Sequence, residues 1–202
     1  MIDSLPFQPP ETGHGLGPPS DVPQATLPYD APVFLVGMMG AGKTTIGRQL
    51  ARVLGREFID LDHELEARCG VRVALIFDIE GEEGFRKRET AALDECSQRR
   101  GIVLATGGGA VLAAENRSYL KERGVVVYLR AGADELYRRV ARDRNRPLLQ
   151  TADPQGRLRD LLAEREPLYE SVAHVTFETG TMPLPQVLRA LLPLLQQHKV
   201  NP

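Results

Sequence analysis

Gly37-Met38-Met39-Gly40-Ala41-Gly42-Lys43-Thr44 is the stretch of this chain most plainly built for chemistry. It follows the pattern G-x-x-x-x-G-K-[ST]. Glycines at 37, 40 and 42 permit backbone turns that a side chain would block. The loop's N–H groups then converge on phosphate oxygens, and the helix that follows adds its positive N-terminal end. In such a loop Lys43 spans the β- and γ-phosphates, and the Thr44 hydroxyl is a ligand for Mg²⁺. The pattern follows the apolar run Val33–Val36 and opens a helical period over Thr44–Leu54, the strand-loop-helix setting it needs. Gly40, Ala41, Gly42, Lys43, Thr44 and Thr45 are therefore expected to hold ATP, with Mg²⁺ as its metal.

Three further groups of residues have chemical potential. Asp60 and Asp62 end the apolar run Phe58–Leu61, and ligands of parallel sheets bind beyond the carboxyl ends of strands. If the strand continues, both point to one side and Leu61 to the other. One carboxylate would then serve Mg²⁺ and the other orient or deprotonate an acceptor hydroxyl. The alternative is a helix N-cap at Asp62, before His63-Glu64-Leu65-Glu66. Gly107, Gly108 and Gly109 follow the run Ile102–Ala105. They either bring bare backbone close to a ligand or form a flexible turn. Among many arginines, Arg86, Arg146 and Arg165 stand out by position. Arg86 can pair with Glu89 three residues on, and Arg146 precedes a polar stretch resembling a lid. Arg165 is flanked by apolar anchors. A guanidinium grips a carboxylate with two hydrogen bonds, so the set suits an acidic substrate; equally, each one read alone is an exposed helix charge.

The elements that must position these groups alternate. Strand-length apolar runs occur at Val33–Val36, Phe58–Leu61, Ile102–Ala105, Val125–Leu129 and His174–Phe177. Most are apolar on both faces, as parallel strands covered by helices are. Helical periods lie between them, including one from about Glu82 to Arg100, and the pattern predicts an α/β fold. A last helix over about 184–195 is expected to be interrupted at Pro193. Residues 1–30 are rich in Pro and Gly without a period, and read as a disordered leader. The main domain is expected over 31–180 and a C-terminal helix and tail over 181–202.

The 202 residues suit one domain, at 42% hydrophobic and 26% charged. A net charge of −2 provides no global field to draw nucleic acid or membrane. Two cysteines without C-x-x-C or zinc spacing read as reduced thiols. No apolar window is long enough to span a membrane, and no Lys or Arg precedes Lys43, unlike a signal or transit peptide. The expected setting is the cytoplasm.

In their order along the chain, G-M-M-G-A-G-K-T, F-I-D-L-D, G-E-x-x-F-R-x-x-E, G-G-G-A, R-P-L-L and R-x-P-L-Y make the sequence resemble the shikimate kinase family over about 33–177. The phosphate loop is common to many kinases; its combination with F-R-x-x-E, G-G-G and R-x-P-L-Y is specific to this one. The resemblance implies a three-layer P-loop fold of nucleoside monophosphate kinase type. It would have a five-stranded parallel sheet with helices on both faces, a substrate-binding region at about 61–91 and a lid at about 143–156. It also implies roles. Asp62, Arg86, Gly108 and Arg165, with Gly107 and Gly109 beside them, would bind shikimate, the arginines holding its carboxylate. Asp62 would act on the acceptor hydroxyl, Asp60 would join Thr44 at Mg²⁺, Arg139 would lie near the adenine, and Arg146 would close over the phosphates. The expected activity is ATP-dependent phosphorylation of the shikimate 3-hydroxyl, toward chorismate and the aromatic amino acids, by a monomer. Two rivals stay open: another small-molecule kinase, of gluconate type, and a nucleotide-binding regulator without catalysis.

Overall fold

The computed structural model describes residues 22–141, 149 and 151–198. Five parallel strands form one sheet: β1 (Val33–Val36), β2 (Glu57–Asp60), β3 (Ile102–Ala105), β4 (Val125–Arg130) and β5 (Val175–Glu178). Their order is β2-β3-β1-β4-β5. The central strand β1 pairs Leu35 with Ala105 on one side and with Val127 on the other. Every residue of β1 and β3 is buried, whereas the edge strands β2 and β5 alternate with exposed positions. Continuous apolar runs in the middle and mixed ones at the edges are what a sheet covered on both faces requires.

The helices are α1 (Lys43–Leu54), α2 (Leu61–Cys69), α3 (Val73–Ser97), α4 (Ala114–Arg123), α5 (Ala133–Val140), α6 (Pro154–Val172) and α7 (Leu184–Gln197). α1 packs with α7, while α4 packs with α3 and α6. The expected three-layer α/β architecture is thus present, with both faces of the sheet covered.

Several boundaries differ from the sequence reading. β2 stops at Asp60, because the Asp60 Oδ1 accepts the N–H of Asp62 and caps α2. Asp62 therefore lies in a helical first turn, so the pleat argument that aligned it with Asp60 does not apply, and the cap is Asp60 rather than Asp62. α3 starts at Val73, ahead of the expected Glu82, and breaks at Gly81, whose φ of 69° and ψ of −176° are non-helical. α7 runs through Pro193 without interruption. Its buried face of Val187, Leu188, Leu191, Leu192 and Leu195 holds the helix while Pro193 faces out.

The leader also changes. Residues 22–31 are packed, not loose. Val22 is buried, and the Ala25 N–H donates to Val53 O at 3.0 Å. The Tyr29 hydroxyl donates to Leu195 O at 3.0 Å, and the Gly101 N–H donates to Asp30 O at 2.7 Å. Arg56 donates to Ala31 O at 2.8 Å and also to Tyr29 O. Proline fits here because an extended strap needs few of its own N–H groups. Residues 1–21 lie outside the described residues.

Candidate active site

The turn after β1 is the phosphate-loop pattern. Gly37, Gly40 and Gly42 have φ of 139°, 82° and 92°, all in the region that favours glycine. Gly42 is also the N-cap of α1. Lys43 Nζ donates to the carbonyls of Gly37 at 2.7 Å and Met38 at 2.9 Å, so the ammonium lies folded over the loop. The Thr44 hydroxyl donates to Asp60 Oδ2 at 2.7 Å. One oxygen comes from the first turn of α1 and the other from the end of β2, and both are hard donors of the kind Mg²⁺ takes alongside phosphate and water.

A cavity of about 720 Å³ opens over this loop. Gly40, Ala41, Gly42, Lys43, Thr44, Thr45, Asp60, Asp62, Gly108 and Arg139 all line it. Arg139, on α5, donates to Gly40 O at 3.1 Å, to Thr179 Oγ1 at 3.4 Å and to Gly180 O. It thereby ties the phosphate loop to the turn after β5. Thr181, Met182, Leu184 and Val187 complete that end of the cavity. None of these four carried a sequence signal, because they share neither a motif nor a chemically distinctive type.

A second, smaller cavity of about 130 Å³ adjoins the first. Its wall contains Asp62, Arg86, Glu89, Gly107, Gly108, Gly109 and Arg165, with Val73, Phe77 and Phe85 as the apolar side. Met39, Asp62 and Gly108 belong to both cavities. The glycine triplet is what lets the charged groups approach. A methyl on Gly107 would meet Glu89 Oε1 at 2.7 Å and Asp62 Oδ1 at 3.0 Å, and one on Gly109 would meet Arg86 Cζ at 2.6 Å.

The electrostatics of this wall are unusual. Arg86 donates to Glu89 Oε2 at 2.6 Å and to Glu82 Oε1 at 3.2 Å. Arg165 is only 4% exposed and reaches Gly108 O at 3.4 Å. Among the described residues, Arg86 Nε, Arg165 Nε and Glu89 Oε1 are buried without a hydrogen-bond partner. Two guanidiniums on the wall of one small cavity suit an anionic acceptor, which they can meet with charge-assisted hydrogen bonds. Burial, then the charge of Asp60, push the Asp62 carboxyl above the usual aspartate range, against the pull of Lys43. Burial likewise pushes Glu89 up, opposed by Arg86.

The sequence-predicted residues thus converge, with one exception. Arg146 lies outside the described residues, as do positions 143–148 and 150 of the expected lid region. The lid's expected end, Pro154–Gly156, is the first turn of α6, capped by Asp153. Met39, Glu89 as a wall residue and Phe77 were missed. F-R-x-x-E singled out Glu89 only as a partner of Arg86.

The shikimate kinase family profile matches residues 39–196. The chain is 71% identical over 177 residues to a shikimate kinase from Bordetella avium, covering 88% of this chain and 85% of that one. It is 66% identical over 189 residues to one from Bordetella pertussis, covering 94% and 90%. Among solved structures, shikimate kinase from Acinetobacter baumannii in complex with shikimate superposes with a TM-score of 0.81 at 50% identity, covering 85% of this chain and 96% of that one. The phosphate loop, the paired cavities and these likenesses agree: the chain belongs to the shikimate kinase family, and it is an ATP-using kinase.

Proposed function

We propose that this kinase transfers the γ-phosphoryl group of ATP to the 3-hydroxyl of shikimate, giving shikimate 3-phosphate. The observation that carries the reading is the shared wall. A larger cavity over the phosphate loop and a smaller one meet at Met39, Asp62 and Gly108, and the smaller is lined by the two guanidiniums of Arg86 and Arg165.

ATP lies in the larger cavity with its phosphates on Gly40–Thr45 and its base toward Arg139 and the turn after β5. Lys43 leaves its carbonyl partners for the β- and γ-phosphates. Shikimate enters the smaller cavity carboxylate first, onto Arg86 and Arg165. Glu89 keeps Arg86 in its fork geometry. The bare edge of Gly107–Gly109 lets the ring lie flat against the wall, and Asp62 receives the acceptor hydroxyl. Burial and Asp60 raise its pKa, which makes its carboxylate a better proton acceptor than that of an exposed aspartate. Thr44 and Asp60 would hold Mg²⁺, which when bound neutralises charge on the phosphates. Arg146 would close over the transferring group. Catalysis here is positioning and charge stabilisation more than covalent chemistry. We take the enzyme to act as a monomer. Free thiols such as Cys69 and Cys96 persist in a reducing compartment, and we place the reaction in the cytoplasm.

Coupled ADP release measured with ATP, Mg²⁺ and either shikimate or gluconate tests the reading. Turnover is expected with shikimate alone. ADP release that shikimate does not stimulate would refute it.

A further inference from the structure

The R-x-P-L-Y motif has a second polar end that the reaction just described leaves unused. Tyr169 follows Arg165 by one turn on α6 and is fully buried. Its ring stacks on Tyr128 of β4, with centroids 5.1 Å apart and planes at 26°. Burial holds its hydroxyl protonated far above the ordinary tyrosine range, so it stays a donor at any working pH. That hydroxyl donates to the carbonyl of Gly108, and Met38 Sδ lies 3.4 Å away. Arg165 Nη1 approaches the same carbonyl at 3.4 Å.

The place of this bond matters more than its strength. Phenylalanine would fill the core equally well, and a buried hydroxyl is costly unless bonded. Here it is bonded at the wall common to both cavities. Gly108 also abuts the phosphate loop: a methyl on it would lie 3.5 Å from Met39 N and 3.6 Å from Gly37 O. Because a trans peptide is planar, holding the Gly108 carbonyl toward α6 fixes the Gly109 N–H in the opposite direction. The Tyr169 hydroxyl, the closer of the two donors to this carbonyl, thus lies between the glycine edge and Met38 of the phosphate loop.

We propose that Tyr169 is a positioning residue for phosphoryl transfer: its hydroxyl holds the Gly108 carbonyl and so keeps the acceptor wall in register with the phosphate loop. The inference rests on the assignment of the two cavities to ATP and acceptor. An error near 1 Å in such an alignment costs rate far more than it costs affinity.

Tyr169→Phe keeps the ring and the stack and removes only the hydroxyl. With shikimate, kcat is expected to fall by roughly 10- to 100-fold, with ATP affinity in the absence of acceptor unchanged within about twofold. In the ligand-free protein, amide hydrogen exchange across residues 106–110 should accelerate. Tyr128→Phe, which removes the other hydroxyl of the stack, should match the wild type in both measurements. A Tyr169→Phe enzyme with lower Tm but wild-type kcat would reduce Tyr169 to packing and overturn the proposal. So would unchanged exchange at 106–110, a result that does not depend on which acceptor is used. A wild type inactive toward shikimate would instead sink the substrate assignment, leaving the exchange measurement to judge Tyr169.

Discussion

At Asp62 the demands of folding and of chemistry oppose each other. Its folded pKa lies above the unfolded value because burial and Asp60 both disfavour the charge. The folded chain then binds a proton more readily than the unfolded chain, so stability falls as pH rises through the folded value. Carrying the charge at this position opposes folding, a cost set against reactivity. Asp62→Asn should lower kcat by about 100-fold or more while weakening the fall of Tm with rising pH. The acid limb of the wild-type kcat profile, displaced upward from the ordinary aspartate range, should vanish with it; a persisting limb would assign the titration to another group. Arg165 poses a different question, because its guanidinium is buried with Nε unsatisfied. Arg165→Ala should raise KM for shikimate about 30-fold, equivalent to roughly 2 kcal/mol of charge-assisted hydrogen bonding. KM for ATP should hold steady. A rise confined to ATP would mean the two cavities had been assigned the wrong way round.

The elements explain why these side chains meet. β1 lies at the centre of the sheet, so the loop leaving it is flanked by the ends of β3 and β4, and β2 adds Asp60 from one strand further out. The glycine edge after β3 faces Arg86 from the half of α3 beyond the Gly81 break. Gly109→Ala should push Arg86 off its site and raise KM for shikimate, with kcat/KM for ATP changed far less; steady-state kinetics with each substrate varied in turn measures the contrast. Much of this was legible. A glycine-rich pattern between an apolar run and a helical period admits one physical use, and F-R-x-x-E foretold the pairing of Arg86 with Glu89. The relation of Asp60 to Asp62 was not legible. It turns on a single side chain accepting a backbone N–H and ending the strand one residue early, which residue spacing does not encode. The turn after β5 was equally silent, since Thr179, Thr181 and Met182 have no chemistry of their own until Arg139 reaches across to it.

Over the whole molecule, the 22–31 strap joins regions distant in sequence. It touches the C-terminal end of α1, the turn before β3 and the last turn of α7. Composition hid this, because proline-rich segments read alike whether free or packed along a surface. Arg56 is its fastener, and Arg56→Ala should destabilise the protein by about 2 kcal/mol, seen in denaturant unfolding with catalysis intact well below the midpoint. At the far edge of the sheet, His174 Nδ1 accepts the Val126 N–H at 3.0 Å, which only the neutral ring can do. Burial and His198 hold its pKa below the usual 6.5. The unfolded chain thus takes up the proton first, and stability drops as pH falls from about 6.5 toward the lower folded value. His174→Gln should flatten that part of the Tm profile.

The strap ends on α7, through Tyr29 to Leu195 and Gln196 to Thr26, and the other end of α7 supplies Leu184 and Val187 to the end of the larger cavity proposed to seat the base. One helix thereby links residues 22–31 to the proposed seat of the nucleotide. Proteases that nibble inward past Val22 would dull the enzyme's appetite for ATP before its grip on the acid, and saturating nucleotide would in turn shield that segment from being cut.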